Sequence, residues 1–291
     1  MSTPTTHTTG SSAAQSALWG VRPRDWADGM EVQMRPVYET VLDRVGVDHG
    51  TELLDAGCGS GLATPQKKEF AMKLVSSAEN SSLDWRAQYR YIQDVHDGRG
   101  YTAGIIGFCS GTGDMLELVR AFTRARPHNG LRRFIPALRR VNGSASHKGL
   151  GKRFVAAWRR ASKQRAMRRA QDGERDRVYF RPAVKLATAD GLRALGQFAY
   201  YDAAVVHGFD GMRGVRERAL ARAATPAAGG DETAYLDAFL DERVVEMHKE
   251  AAHDDVSRIE TAQRRFLREG NLNLDAPLRW AVYGDDYSIL R

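Results

Sequence analysis

From Gln66 onward, apolar residues recur at spacings of three and four, the period of a helix with one buried face. Phe70, Leu74, Val75 and Ala78 share such a face and predict a helix over 67–80. Ser81-Ser-Leu-Asp84 fits a capping box and predicts a second helix through Trp85, Tyr89 and Ile92. Asp97-Gly98 is a turn signal. The glycine-punctuated, β-prone run from Tyr101 to Cys109 predicts a small hairpin or sheet. Helical spacing resumes over 114–126, 154–171, 190–207, 212–222, 232–252 and 257–269. Upstream, Val37, Val41, Leu42 and Val45 share a helical face, and a short apolar run enters a glycine-rich turn ending at Gly61. Thr64-Pro65 reads as a break. One strand and one turn do not make an alternating βαβ pattern, so the chain reads as mainly α with a little β.

At 291 residues the chain has room for a large domain or two lobes with a sizeable core. It contains no apolar run of about 18 residues, so no transmembrane helix is expected. Residues 1–20 are Ser/Thr-rich without a basic start or an apolar stretch; they read as a disordered tail rather than an export signal. Cys58 and Cys109 sit among small residues, where a free buried thiol is the expected state. The net charge of +7 is unevenly spread: residues 118–230 carry 25 Lys and Arg against 7 Asp and Glu, while residues 69–117 carry 4 against 7. The basic middle raises nucleic-acid binding as an option. No recognised motif accompanies it, and helical spacing spreads the charges over solvated faces.

Candidate chemistry lies in the acidic stretch. Glu79 falls in the last turn of its helix, where the negative end of the helix dipole disfavours a carboxylate. Partial burial beside Val75 and Ala78 would act the same way, and a neutral glutamic acid can donate a proton. Asp97, on an exposed turn, stays ionised and can activate a water. Thr102 follows five residues later with a hydroxyl that can help hold that water. Two carboxyls across a groove are the minimum equipment for cutting a glycosidic bond. Spacing alone favours the plainer reading, a solvated helix end and a turn former.

Long stretches change that balance. Ala71 to Trp85, Asp97-Gly-Arg-Gly-Tyr-Thr102, Gly104 to Asp114, Val141-Asn-Gly-Ser-Ala-Ser-His147, Glu174 to Phe180, Gly191 to Asp202 and Ala251-Ala-His-Asp-Asp255 closely resemble glycoside hydrolase family 46 chitosanases. The resemblance covers roughly three-quarters of the chain, residues 66–291. It implies a two-lobed, lysozyme-like fold with a small β-sheet in one lobe and a cleft between lobes. It also implies endo-hydrolysis of β-1,4-linked glucosamine in chitosan with inversion, by a secreted monomer needing neither cofactor nor metal. Glu79 falls on the family's general acid, Asp97 on its general base and Thr102 on the residue positioning the water. Asp114 falls on the group that recognises a glucosamine ammonium; Ser81, Tyr91, Arg99, His253 and Asp254 fall on cleft positions. Asp202, Arg243 and Arg258 match a buried charge network behind the acid. Gln93 departs from an expected acid, and the turn 207–213 looks short.

Residues 18–63 resemble something else. Leu53-Leu-Asp-Ala-Gly-Cys-Gly-Ser-Gly61 looks like the first motif of a class I methyltransferase that uses S-adenosylmethionine, its glycines letting the backbone approach the cofactor. Such an enzyme needs further strands to complete a sheet, and the chain turns helical instead. The expected organisation is therefore a tail over 1–20, a truncated methyltransferase-like segment over 21–63, and a catalytic body over 66–291.

Overall fold

The chain divides into two units, Met1–Asp55 and Ala56–Arg291. A computed structural model describes residues 61–249 and 254–291, all in the second unit. The methyltransferase-like motif up to Ser60, with Cys58, and His253 lie outside the described residues.

The helix expected over 67–80 is α1, Pro65–Asn80. Thr64-Pro65 starts it rather than interrupting the chain: the Thr64 hydroxyl accepts from the Lys67 amide at 3.3 Å, and proline occupies the first helical turn, where its missing N–H costs nothing. Ser81, in the left-handed region (φ 47°), ends it. Phe70, Ala71, Leu74, Val75 and Ala78 are buried as their spacing predicts.

Downstream, the expected second helix is only the six-residue 3-10 segment Trp85–Arg90. Asp84 caps it by accepting from the Ala87 amide. Tyr91 then turns extended, and Ile92 belongs to a strand, β1 (Ile92–Asp94). Burial of Ile92 on the sheet outweighs its helical spacing to Tyr89. The expected hairpin is a three-stranded antiparallel sheet, with β1 paired to β2 (Tyr101–Ala103) and β2 to β3 (Phe108–Cys109). The register sets Gln93 against Thr102 and Thr102 against Cys109, a free, buried thiol.

Helices α2 (Asp114–Ala125), α3 (Ile135–Val141), α4 (Lys152–Ala161) and α5 (Arg165–Arg175) follow. The run expected as one helix over 154–171 breaks at residues 162–164, where the Ser162 carbonyl accepts from Arg168 Nε at 2.9 Å. A π-turn, Asp176–Phe180, leads into α6 (Arg181–Ala189) and α7 (Ala194–Leu220). The short turn expected at 207–213 is absent: α7 runs through it with a kink at Gly208, whose φ of 73° favours glycine. Most of α7 from Ala194 to Ala204 is buried, and it packs against α6 and α8 (Glu232–Met247). A second π-turn, Arg258–Gln263, runs into α9 (Arg264–Arg268), and the hairpin β4 (Leu278–Val282) and β5 (Asp285–Ile289) closes the chain. Trp280 of β4 donates to the Ser77 hydroxyl at 2.9 Å and so ties this hairpin to α1. Leu62 is fully buried, its amide donating to Gln197 of α7 at 2.7 Å. No helix among the described residues is long and apolar enough to cross a membrane.

Candidate active site

Glu79 stands at the C-terminal end of α1 on its open face, with 39% of its side chain exposed. Val75 and Ala78 are buried, but they leave the Glu79 carboxyl open at the helix end. Glu79 meets a cation instead: Arg258 Nη1 donates to Oε1 at 2.6 Å. Arg258 also donates to Asp202, through Nη2 to Oδ1 at 2.7 Å and through Nε to Oδ2 at 3.2 Å. Arg243 adds a bond to Oδ2 at 2.6 Å. Burial would raise the Asp202 pKa, but the Arg258 and Arg243 guanidiniums overturn that and hold its carboxyl well below the usual carboxylate range.

One member of this network has no signal in the sequence. Gln263 donates to Asp202 Oδ2 at 2.8 Å and accepts from Arg243 Nη1 at 3.0 Å. Its partners lie 61 and 20 residues away, and a lone glutamine on a helix carries no pattern that announces such a role.

Asp97 sits on the exposed loop between β1 and β2. The Arg99 amide donates to Oδ1 at 2.9 Å, while Arg99 Nε and Nη2 donate to Oδ2 at 2.9 and 2.6 Å. Desolvation, the largest single influence, would raise the Asp97 pKa, but the Arg99 bonds and charge together outweigh it and hold the carboxyl below its ordinary pKa. The loop is anchored behind by Gly111, whose amide donates to the Arg99 carbonyl at 2.9 Å and whose carbonyl accepts from the Gly143 amide at 2.7 Å. A Cβ on Gly111 would lie 2.3 Å from the Ser144 carbonyl oxygen and 2.8 Å from that of Arg99, so this seam accepts only glycine.

Thr102 is half-buried on β2, its hydroxyl 3.5 Å from the Cys109 sulfur. Asp114 opens α2, and Oδ1 accepts from the Cys109 and Met115 amides and the Thr112 hydroxyl at 2.9, 2.8 and 2.7 Å. Burial outweighs those bonds and raises its pKa. Ser81 and Asp254 are exposed, and Tyr91 is half-buried with its carbonyl taken by the Gly104 amide. The proposed residues thus form two groups, Glu79 with the Asp202 network and Asp97 with the small sheet. No hydrogen bond among the described residues joins them.

The described residues form a mainly helical body with a three-stranded antiparallel sheet and a C-terminal hairpin, a glycosidase-like class of fold. Comparison with known proteins specifies it further. Residues 73–278 match glycosyl hydrolase family 46. A chitosanase of Streptomyces sp. (strain N174) is 62% identical over 235 residues, covering 79% of this chain and 84% of that protein. A chitosanase of Bacillus subtilis (strain 168) is 36% identical over 234 residues, covering 75% of this chain and 83% of that one. Among solved structures, a chitosanase co-crystallised with substrate is 58% identical, with a TM-score of 0.76 over 79% of this chain and 99% of its own. The chain belongs to glycosyl hydrolase family 46, and its fold is lysozyme-like.

Proposed function

We propose that this protein is an endo-acting, inverting chitosanase, with Glu79 as general acid and Asp97 as general base. The observation that carries the reading is the family match, which spans both acids. Chitosan, a polymer of glucosamine met outside the cell, is the substrate. In an inverting displacement the acid protonates the leaving oxygen while the base activates a water on the opposite face, the carboxyls standing ~6.5–9.5 Å apart. Thr102 positions that water. Asp114, anchored through one carboxylate oxygen, offers the other to a glucosamine ammonium. Ser81, Tyr91, Arg99, His253 and Asp254 are assigned substrate contacts on the family resemblance, and Arg258 orients the acid.

Soluble chitosan should lose viscosity rapidly when the protein is added, and proton NMR of fresh cleavage should show the α-anomer of the new reducing end before mutarotation. A β-anomer would rule out inversion, and unchanged viscosity would rule out the endo-acting reading. Residues 18–63 take no part in this reaction. Calorimetry with S-adenosylmethionine tests their other resemblance, and saturable binding would make that segment a working cofactor site.

Arg99 supplies a further test. Its bonds depress the Asp97 pKa, so the base stays ionised, and activity persists, into more acidic solution than an ordinary aspartate allows. Arg99→Ala should let that pKa rise and move the acidic limb of the kcat/KM profile to higher pH. An unmoved limb would separate Asp97 from the acidic limb.

A further inference from the structure

A cavity of about 640 Å³ opens between the 3-10 segment Trp85–Arg90, the end of α4 and the start of α5, on elements that carry neither Glu79 nor Asp97. Its wall holds six cations, Arg86, Arg90, Arg159, Arg160, Lys163 and Arg168, and no carboxylate. The acids behind the wall are engaged elsewhere. Glu69 accepts from both terminal nitrogens of Arg86 at 2.8 and 2.9 Å, and Asp172 accepts from the Tyr89 hydroxyl at 2.8 Å and from Arg175 at 3.3 Å. Arg90, Arg159, Arg160 and Lys163 make no side-chain hydrogen bond or ion pair with any described residue. Other surface arginines of the same chain find acids: Arg218 pairs with Glu242 and Glu246, and Arg222 with Asp241 and Glu242.

Solvated helix faces do not account for this grouping. The C-terminal end of α4 suits Arg159 and Arg160 electrostatically, but Arg168 stands one turn into α5, at the end where the dipole disfavours a cation. Arg90 comes from a third element, about seventy residues upstream. Like charges gathered from three elements into one hollow repel each other, and a multiply charged anion relieves that repulsion.

The wall also discriminates among anions. Arg168 is fixed by its bond to the Ser162 carbonyl and lies over the Tyr89 ring at 5.6 Å, while Arg86 covers the Trp85 ring at 4.2 Å. Trp85 is buried and does not line the cavity; Tyr89 lines it but is only 6% exposed with Arg168 over its ring, so guanidinium groups rather than an open aromatic face meet a ligand. Planar guanidiniums match phosphate oxygens in pairs. We propose that this cavity is a binding site for a compact oligophosphate, an anion of a few linked phosphate groups, separate from the hydrolytic site.

The test is calorimetric titration of the full chain with inorganic tripolyphosphate at low salt and at physiological salt. Saturable one-to-one binding is expected, with a melting temperature that rises with ligand concentration. The triple variant Arg90→Gln/Arg159→Gln/Lys163→Gln should bind at least about tenfold more weakly, through loss of charge-assisted contacts. Arg132→Gln/Arg133→Gln, which lowers charge at a different basic hollow beside Pro127 and Pro136, should leave affinity unchanged. All five side chains are exposed, so both variants should fold. Absence of saturable binding, equal weakening by both variants, or tighter binding of a single-stranded oligonucleotide of matched charge would each overturn the proposal.

Discussion

Glu79→Gln should reduce the kcat of chitosan hydrolysis by about 10²–10⁴-fold, the range a positioned general acid supplies. Protein stability should hold, because Glu79 is substantially exposed and the Gln carbonyl can still accept from Arg258 Nη1. Melting temperature and near-UV circular dichroism therefore serve as controls. The amide keeps shape and hydrogen bonding and removes only the transferable proton, so the loss reads out proton donation. Asp97→Asn should fall by a comparable factor, since an amide cannot take a proton from water. Hydrolysis by Glu79→Gln at the wild-type rate would exclude Glu79 as the acid.

Asp202→Ala should instead strike stability. Removing this fully buried carboxylate leaves Arg243 and Arg258 as buried cations without their main partner. Breaking such a network typically costs ~3–5 kcal/mol, which lowers Tm by on the order of 10 °C for a domain of this size. The same carboxylate sets a pH dependence. Its folded pKa lies below its unfolded value, so the stability it contributes is fully present above about pH 4. As pH falls further toward the folded pKa, the unfolded chain takes up a proton that the folded state refuses, and stability declines. Denaturant melts from pH 6 to pH 3 should show that decline in the wild type and a shallower one in Asp202→Ala. Equal slopes would mean that the network does not couple to acid unfolding.

Where local periodicity carries the information, the chain was readable. α1 starts at Pro65 rather than at residue 67, and the acid falls in its last turn as its spacing implies. The Asp97-Gly98 turn falls between two strands, in keeping with turn chemistry. What escaped reading depends on distant partners. Ile92 shares helical spacing with Tyr89, yet pairing with Ala103 makes it a strand residue. Nothing between Phe154 and Gln171 is a strong helix breaker, so the interruption at residues 162–164 has no local signature. α3 and α6 are short elements whose apolar residues are too few to set a period, whereas β4 does alternate, with Leu278, Trp280 and Val282 buried. The Arg258 contact with Glu79 is legible only through the family resemblance, which sets Arg258 behind the acid: the two are 179 residues apart, and no local pattern pairs them.

Gly111, threaded between the carbonyls of Arg99 and Ser144 with no room for a methyl group, has a thermodynamic corollary. Stitched on both sides, the segment bearing Asp97 is already ordered before any sugar arrives. On the proposed assignment of Asp97 as base, association with the polymer spends little entropy on arranging it, and more of the contact energy remains for distorting the ring undergoing cleavage.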